Sequence, residues 1–382
     1  MTLPNATTNV SGLMGTADVH AWHDDNRDTW RLITSGGSIR GSPPVILSYE
    51  SHDGVASGWR FMGVLYTGSR TNRLECPSYY TGSLASSGGD SLTSVPALLT
   101  YSWPTAGYSQ FWASGTESSG SFLPIQHGQL EYGVGYAGEM TATWPKRLLL
   151  FSWMRGVSDG VVYVGAQSLP REIRLLQDGA VAIHVATELH SLIVANSTKS
   201  VSLSVQPGDA RPGNPPTLPH SVPQQARLQI HISAAGGVLP ATFGITLQND
   251  GSERVAQTET AENLEQLHLA VAVKKGSACI FLGSPRQGCA PIGAPTTSST
   301  NSNDASWTLD TDAEMWLDNG LVEVIVGSNT TTTSQAVLSA FYPKLFSATT
   351  GLGGSVWSQS NATANFDLKW SKGASAKFAV NE

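Results

Sequence analysis

Short apolar runs, broken at close intervals by Gly, Pro, Ser, Asn and Asp, leave this chain few ways to fold. Val45-Ile46-Leu47, Arg147 to Trp153, Val161 to Val164 and Leu321 to Val326 are examples. Arg227-Leu228-Gln229-Ile230-His231-Ile232 alternates with period two, the mark of a strand with one buried face, and Leu267 to Val273 reads the same way. Helical periodicity is almost absent; Ala261 to Leu267 is the best short candidate. With 40% apolar and only 13% charged residues, and with Gly, Ser and Thr frequent, the composition suits a turn-rich all-β protein. Closely spaced strands predict a sandwich, a barrel or a propeller, and no repeat of fixed length decides among them. The 382 residues are enough for two domains with sizeable cores. Gln206 to Gln225, with six prolines, and Pro291 to Ser306, rich in Ser, Thr and Asn, read as long loops. We place the domain change near residue 190, which predicts domains over 1–190 and 191–382.

A net charge of −7 and the lack of any Lys/Arg-rich run argue against a nucleic-acid partner. No stretch approaches the roughly 18 apolar residues of a membrane span. The first twenty residues lack a charged-then-apolar leader pattern. Five Asn-X-Ser/Thr sequons, at Asn5, Asn9, Asn196, Asn329 and Asn361, nevertheless favour an extracellular glycoprotein. Cys279 and Cys289 flank a strand-like run and a Gly283-Ser284-Pro285 turn. They are expected to close a small disulfide loop, the alternative being two half-buried thiols. His20, His23 and His52 lack metal-ligand spacing and read as surface or turn residues. No phosphate loop or nucleotide fingerprint occurs, so no cofactor is expected.

Several local motifs share one order along the chain. Gly58-Trp59-Arg60-Phe61-Met62-Gly63 precedes Leu74-Glu75-Cys76-Pro77-Ser78-Tyr79-Tyr80. Gly135-Tyr136-Ala137 and Arg147 to Met154 follow, then Leu169-Pro170-Arg171-Glu172. Leu317 to Val324 and Ala340-Phe341-Tyr342-Pro343 lie near the end. Together they resemble glycoside hydrolase family 32, the invertases, inulinases and fructosyltransferases. The resemblance implies a five-bladed β-propeller followed by a β-sandwich, and a retaining mechanism on sucrose or fructans. The ligand it implies is a fructose-containing oligo- or polysaccharide.

Retaining hydrolysis needs two carboxyl groups about 5–5.5 Å apart, one attacking the anomeric carbon and one acting as acid and then base. By resemblance to the family's Glu-Cys-Pro segment, Glu75 is the acid/base. Cys76 is expected to be a buried neighbour, with no His or Asp arrangement to make it a nucleophile. The family's transition-state-stabilising Asp, in an Arg-Asp-Pro motif, has two candidates. Arg27-Asp28-Thr29 copies two letters of the motif, but Trp30 begins the next strand at once. Asp18, in Asp18-Val19-His20-Ala21-Trp22, fits better, although Ala17 and Val19 replace the motif's Arg and Pro. Asp18 is therefore preferred and Asp28 is the runner-up. Trp22, Trp59, Tyr136 and Trp153 are candidates to line a sugar pocket or to be propeller core, and Glu131 is a candidate substrate contact.

The family's nucleophile lies in an Asn-Asp-Pro motif on the first blade. No Asp or Glu precedes Asp18, and Leu3-Pro4-Asn5-Ala6 has Leu where the Asp belongs. The expectation is a chain without its first blade, hydrolytically silent as it stands and prone to self-association through exposed propeller edges. A non-catalytic carbohydrate-binding protein derived from such an enzyme is the alternative.

Overall fold

A computed structural model shows the architecture. It describes residues 13–25, 27–38, 43–68, 73–81, 97–104, 109–143, 147–158, 164–176, 179–193, 197–206, 216–249, 266–283, 288–297, 306–318, 320–327, 336–342, 352–359 and 362–372. The asparagines of all five sequons and Leu3 to Ala6 lie outside these residues, as do most of Ala261 to Leu267 and parts of the two expected long loops. Chain contacts divide the molecule into two compact units. One holds Met1–Gly156, Gly165–Ile183 and Thr332–Ser334, the other Val157–Val164, His184–Thr331 and Gln335–Glu382.

The first unit is built from antiparallel meanders, the blades of a β-propeller. Strands β1 (Leu13–Asp24), β2 (Thr29–Ser38), β3 (Val45–Ser51) and β4 (Arg60–Thr67) pair in chain order. So do β5 (Glu75–Tyr80), β6 (Ala97–Trp103), β7 (Ser109–Ser118) and β8 (Ser121–Glu131). In the third meander β9 (Gly135–Thr143) pairs β10 (Arg147–Ser158), which is flanked by β11 (Val164–Gln167) and β12 (Arg171–Leu175), with β13 (Val181–Val185) outermost. The turns show why meanders form. Ser119 (φ 53°) and Gly120 (φ 79°) both lie in the left-handed region, which gives a two-residue hairpin turn whose twist matches its strands.

Alternation sends successive residues to opposite faces, as at Leu32 and Ile33. Ile33, Ile46, Leu65, Tyr79, Leu99, Tyr101, Trp103 and Phe122 form the core shared by the first two meanders, while Leu32, Leu47, Tyr49 and Trp59 fill the opposite face of the first. Charge is buried here only in paired form. Arg31 meets Glu117 through two 2.9 Å contacts, Tyr79 Oη donates to the same carboxylate at 3.0 Å, and the guanidinium lies 5.2 Å from the Trp22 ring centre. Glu172, bound by Arg147 and Arg174, is disfavoured as an anion by burial, yet the two guanidiniums hold its carboxyl below the usual value.

The second unit is a β-sandwich, entered through a one-turn helix α1 (Thr187–His190). Its strands are β14 (Lys199–Val205), β15 (Gln225–Gly236), β16 (Ala241–Asn249), β17 (Gln266–Lys274), β18 (Ser277–Leu282), β19 (Ala290–Gly293), β20 (Thr296–Thr297), β21 (Trp307–Asp318), β22 (Leu321–Val326), β23 (Ala336–Phe341), β24 (Leu352–Ser358) and β25 (Ala362–Lys372). One sheet runs β14-β25-β15-β21-β22-β23 and the other β19-β18-β17-β16-β24. Leu228, Ile230, Met315, Leu368 and Trp370 of the first face Ile245, Leu247, Leu267 and Leu269 of the second across an apolar core. Strand β15 alternates buried and half-buried residues along nearly its whole length, as its period-two sequence requires.

Two sequence expectations change, and a third, the disulfide, is met. Gln266 and Leu267, the described end of the helical candidate, open strand β17. The Pro-rich stretch is not a free loop where it is described. Leu218 N and Val222 N donate to Gly354 O and Leu352 O at 2.8 Å, so the segment covers the edge of β24. Cys279 and Cys289 are joined as a disulfide, their Cα atoms 5.5 Å apart.

Candidate active site

The innermost strands β1, β5 and β9 lie side by side in the first unit, and each is interrupted by a non-glycine residue in the left-handed region. These residues are Asp18 (φ 54°), Cys76 (φ 46°) and Ala137 (φ 51°). Pairing shifts register at the same places: between Ala17 and Val19 on β1, between Glu75 and Ser78 on β5, and on β9 opposite Phe151 and Trp153. Each is a β-bulge, which re-aims side chains and stores about 1–3 kcal/mol of backbone strain. The bulge on β1 is pinned from β2, where the Thr34 and Ser35 hydroxyls both donate to Ala17 O, at 2.8 and 2.6 Å.

The bulges bring polar groups of three strands together. Asp18 Oδ2 accepts the Cys76 backbone N–H at 3.1 Å. Tyr136 Oη donates to Glu75 Oε2 at 2.5 Å, and Arg73 Nε stands 3.5 Å from Glu75 Oε1. Ser78 Oγ donates to Glu139 Oε2 at 2.5 Å and accepts from Met140 N at 3.0 Å. His20 Nδ1 is 3.8 Å from the same Glu139 oxygen. Glu75 is 23% exposed and Glu139 is 47% exposed, so both carboxyls reach solvent.

The electrostatics follow from this crowding. Burial, reinforced by Asp18, Glu139 and Glu75, pushes the Cys76 thiol up to about 12, so it stays protonated and is no nucleophile. Burial and the bond to Glu75 also raise the Tyr136 phenol, which keeps its proton and remains a donor. The Glu139 carboxyl is raised by burial and by Asp18, against the pull of Ser78. Burial lowers the His20 imidazole.

Other candidates fall elsewhere. Asp28 is 98% exposed, 3.6 Å from His23, on the hairpin between β1 and β2. Glu131 is wholly buried, its Oε2 2.9 Å from Arg171 Nη1 and its Oε1 taking Gly133 N at 2.9 Å, so it offers nothing to a ligand arriving from solvent. Trp59 is 7% exposed, with Nε1 donating to Val55 O at 3.1 Å; it is core rather than pocket lining. Trp22 is half-buried beside Tyr79 and Arg31. Tyr136 is the aromatic candidate that touches Glu75. Trp153, its partner in register on β10, is 42% exposed and packs over Gly165, whose missing side chain makes room for the indole.

Glu139, Ser78 and His20 were not legible as site residues. Strict alternation assigns Tyr136 and Glu139 to opposite faces, whereas the bulge at Ala137 lets both reach β5. No group of His, Cys, Asp or Glu suited to a metal ion occurs among the described residues.

Residues 18–184 match the sequence model of the Glycosyl hydrolases family 32 N-terminal domain. No curated protein sequence matches the chain. Among solved structures, the Schwanniomyces occidentalis fructofuranosidase complexed with fructose aligns at 11% identity over 94% of this chain and 70% of its own, with a TM-score of 0.61. The Bombyx mori GH32 beta-fructofuranosidase in complex with sucrose aligns at 15% identity over 95% of this chain and 66% of its own, with a TM-score of 0.58. An A. japonicus structure aligns at 16% identity over 91% and 66%, with a TM-score of 0.61. The chain thus spans just under two thirds of the length of the last two. Residues 18–184, which hold every carboxylate and aromatic candidate above, are thus similar to the N-terminal domain of glycoside hydrolase family 32.

Proposed function

We propose that the chain carries the acid/base and the stabilising carboxylate of a β-fructofuranosidase-type site and binds the fructosyl unit of sucrose or a fructan. The observation behind this reading is the bulged contact set in which Tyr136 holds Glu75 while Asp18 is anchored on the adjacent backbone of Cys76. In this role Glu75 protonates the leaving glycosidic oxygen and then takes a proton from the incoming water. Tyr136 fixes the rotamer of the Glu75 carboxyl. Asp18 accepts fructosyl hydroxyls and gains strength as positive charge develops on the sugar.

The same reading assigns these 382 residues negligible hydrolysis by themselves. Double displacement needs a carboxylate nucleophile as well as an acid/base, and no Asp or Glu precedes Asp18 on the first described strand. Incubation with sucrose and inulin is expected to release no fructose, while calorimetric titration of the same sample detects sugar binding. Robust fructose release would overturn the silent assignment, and a flat titration with every fructoside would overturn the binding one. We also propose an extracellular location, supported by the Cys279–Cys289 disulfide; glycan on Asn196, Asn329 or Asn361 in protein from a secreting host would bear it out, and its absence from all five sequons would count against it.

A further inference from the structure

Glu139 is the carboxylate of the site without a part in that reading, and its surroundings are specific. It projects from β9 just beyond the Ala137 bulge, and both of its protein contacts, with Ser78 and with His20, fall on Oε2. The side chain is nonetheless 47% exposed. It therefore adds a carboxylate to those of Asp18 and Glu75, which the same row of bulges turns toward Cys76. Arg73 is the cation that reaches this group among the described residues; it is half-exposed and stands 3.5 Å from Glu75. His20 does not add a balancing charge near neutral pH, because burial lowers its pKa. The ring of groups thus has more anionic than cationic members, and the excess is concentrated at a partly desolvated spot where charges interact more strongly than in water.

We infer that Glu139 is a specificity-determining residue and that the site prefers a furanosyl ligand carrying an ammonium group to its neutral counterpart. This rests on the fructosyl-binding reading above and adds to it a chemical class of ligand. A neutral hydroxyl gains one hydrogen bond from Glu139, whereas an ammonium gains a charge-assisted bond and the field of Asp18 and Glu75 as well. A half-exposed carboxylate is partly screened, so the preference is expected to be about tenfold in Kd rather than the hundreds a dry site would give.

The test is calorimetric titration of D-fructose and of 1-amino-1-deoxy-D-fructose at about 20 mM salt, where screening is weak. The full chain, its Glu139→Gln variant and an Asp310→Asn variant are compared, the last removing one exposed charge from the other unit. The amino sugar is expected to bind about tenfold more tightly to the parent chain. Glu139→Gln should narrow the gap to the smaller part owed to Asp18 and Glu75, with the amino sugar losing more affinity than fructose, and Asp310→Asn should preserve the full gap. Equal affinities in the parent chain, or a gap undiminished in Glu139→Gln, overturn this inference and leave the fructosyl reading standing. Failure of both sugars to bind overturns both. A circular-dichroism melt of Glu139→Gln that matches the parent excludes misfolding as the cause of a lost preference.

Discussion

Replacing Glu131 by Gln removes a charge from a place where it has no access to water. Both members of the Glu131–Arg171 pair are 0% exposed, and their atoms meet at 2.9 Å. The glutamine side chain would keep the volume and an acceptor for Gly133 N, but it would take away the negative charge that faces the buried Arg171 guanidinium. Breaking such a pair from one side costs about 3–5 kcal/mol, whereas replacing both partners by apolar groups of similar size is often neutral or better. For a unit of this size, each kcal/mol lowers the melting midpoint by about 2–4 °C, so Glu131→Gln should melt roughly 6–20 °C below the parent. Scanning calorimetry, with the affected transition assigned to residues 18–184 by limited proteolysis, measures the shift. Glu131→Leu combined with Arg171→Met should recover most of the loss. Arg60→Ala provides the contrast: Arg60 is 69% exposed and 3.6 Å from Glu50, so its loss should cost less than about 1 kcal/mol. A Glu131→Gln loss as small as that, or a double variant no better than the single, would refute the picture of a desolvated pair.

The Cys76 thiol should label about 50-fold more slowly with iodoacetamide at pH 8 in the native protein than in urea, since the fall in thiolate fraction outweighs the greater nucleophilicity of a high-pKa thiolate; equal rates would contradict the crowded carboxylates around it. Reducing the Cys279–Cys289 disulfide, which spans a sequence separation of 10, should destabilise the sandwich by about 2.5 kcal/mol, read as a lowered urea midpoint under reductant, and an unchanged midpoint would count against it. His20 has a folded-state pKa below its unfolded value, so the unfolded chain binds the extra proton and stability falls as pH drops below about 6.5. Glu139, whose carboxyl is raised, acts with the opposite sign over a range that begins near the ordinary carboxylate pKa. The measurement is therefore the difference between the parent chain and His20→Gln in denaturant midpoints from pH 7 to 5, and identical pH profiles would exclude a buried neutral imidazole.

The all-β class, the strands at Val45, Arg147, Arg227, Leu267 and Leu321, and the segments bearing Glu75 and Tyr136 were all readable from residue order. Period-two burial and turn chemistry act over a few neighbouring residues, and those residues are adjacent in the chain. Family motifs are legible for the same reason, as each is a short contiguous string. Partners far apart in sequence were not readable. Trp59 and Glu131 look like surface-capable residues in their local strings, and burial against Leu47 or Arg171 is decided by which strands become neighbours. The Pro-rich stretch reads as a loop because prolines donate nothing to a ladder, yet its remaining N–H groups cover the β24 edge. The bulges at Asp18, Cys76 and Ala137 matter most. None has the glycine that usually announces a left-handed residue, and each moves every later side chain of its strand to the other face. Such strain persists only because surrounding contacts, such as the Thr34 and Ser35 hydroxyls on Ala17, over-determine the backbone. Tertiary packing therefore gathers Glu75, Asp18 and Glu139 at one spot, and no local pattern of polar and apolar residues encodes that convergence.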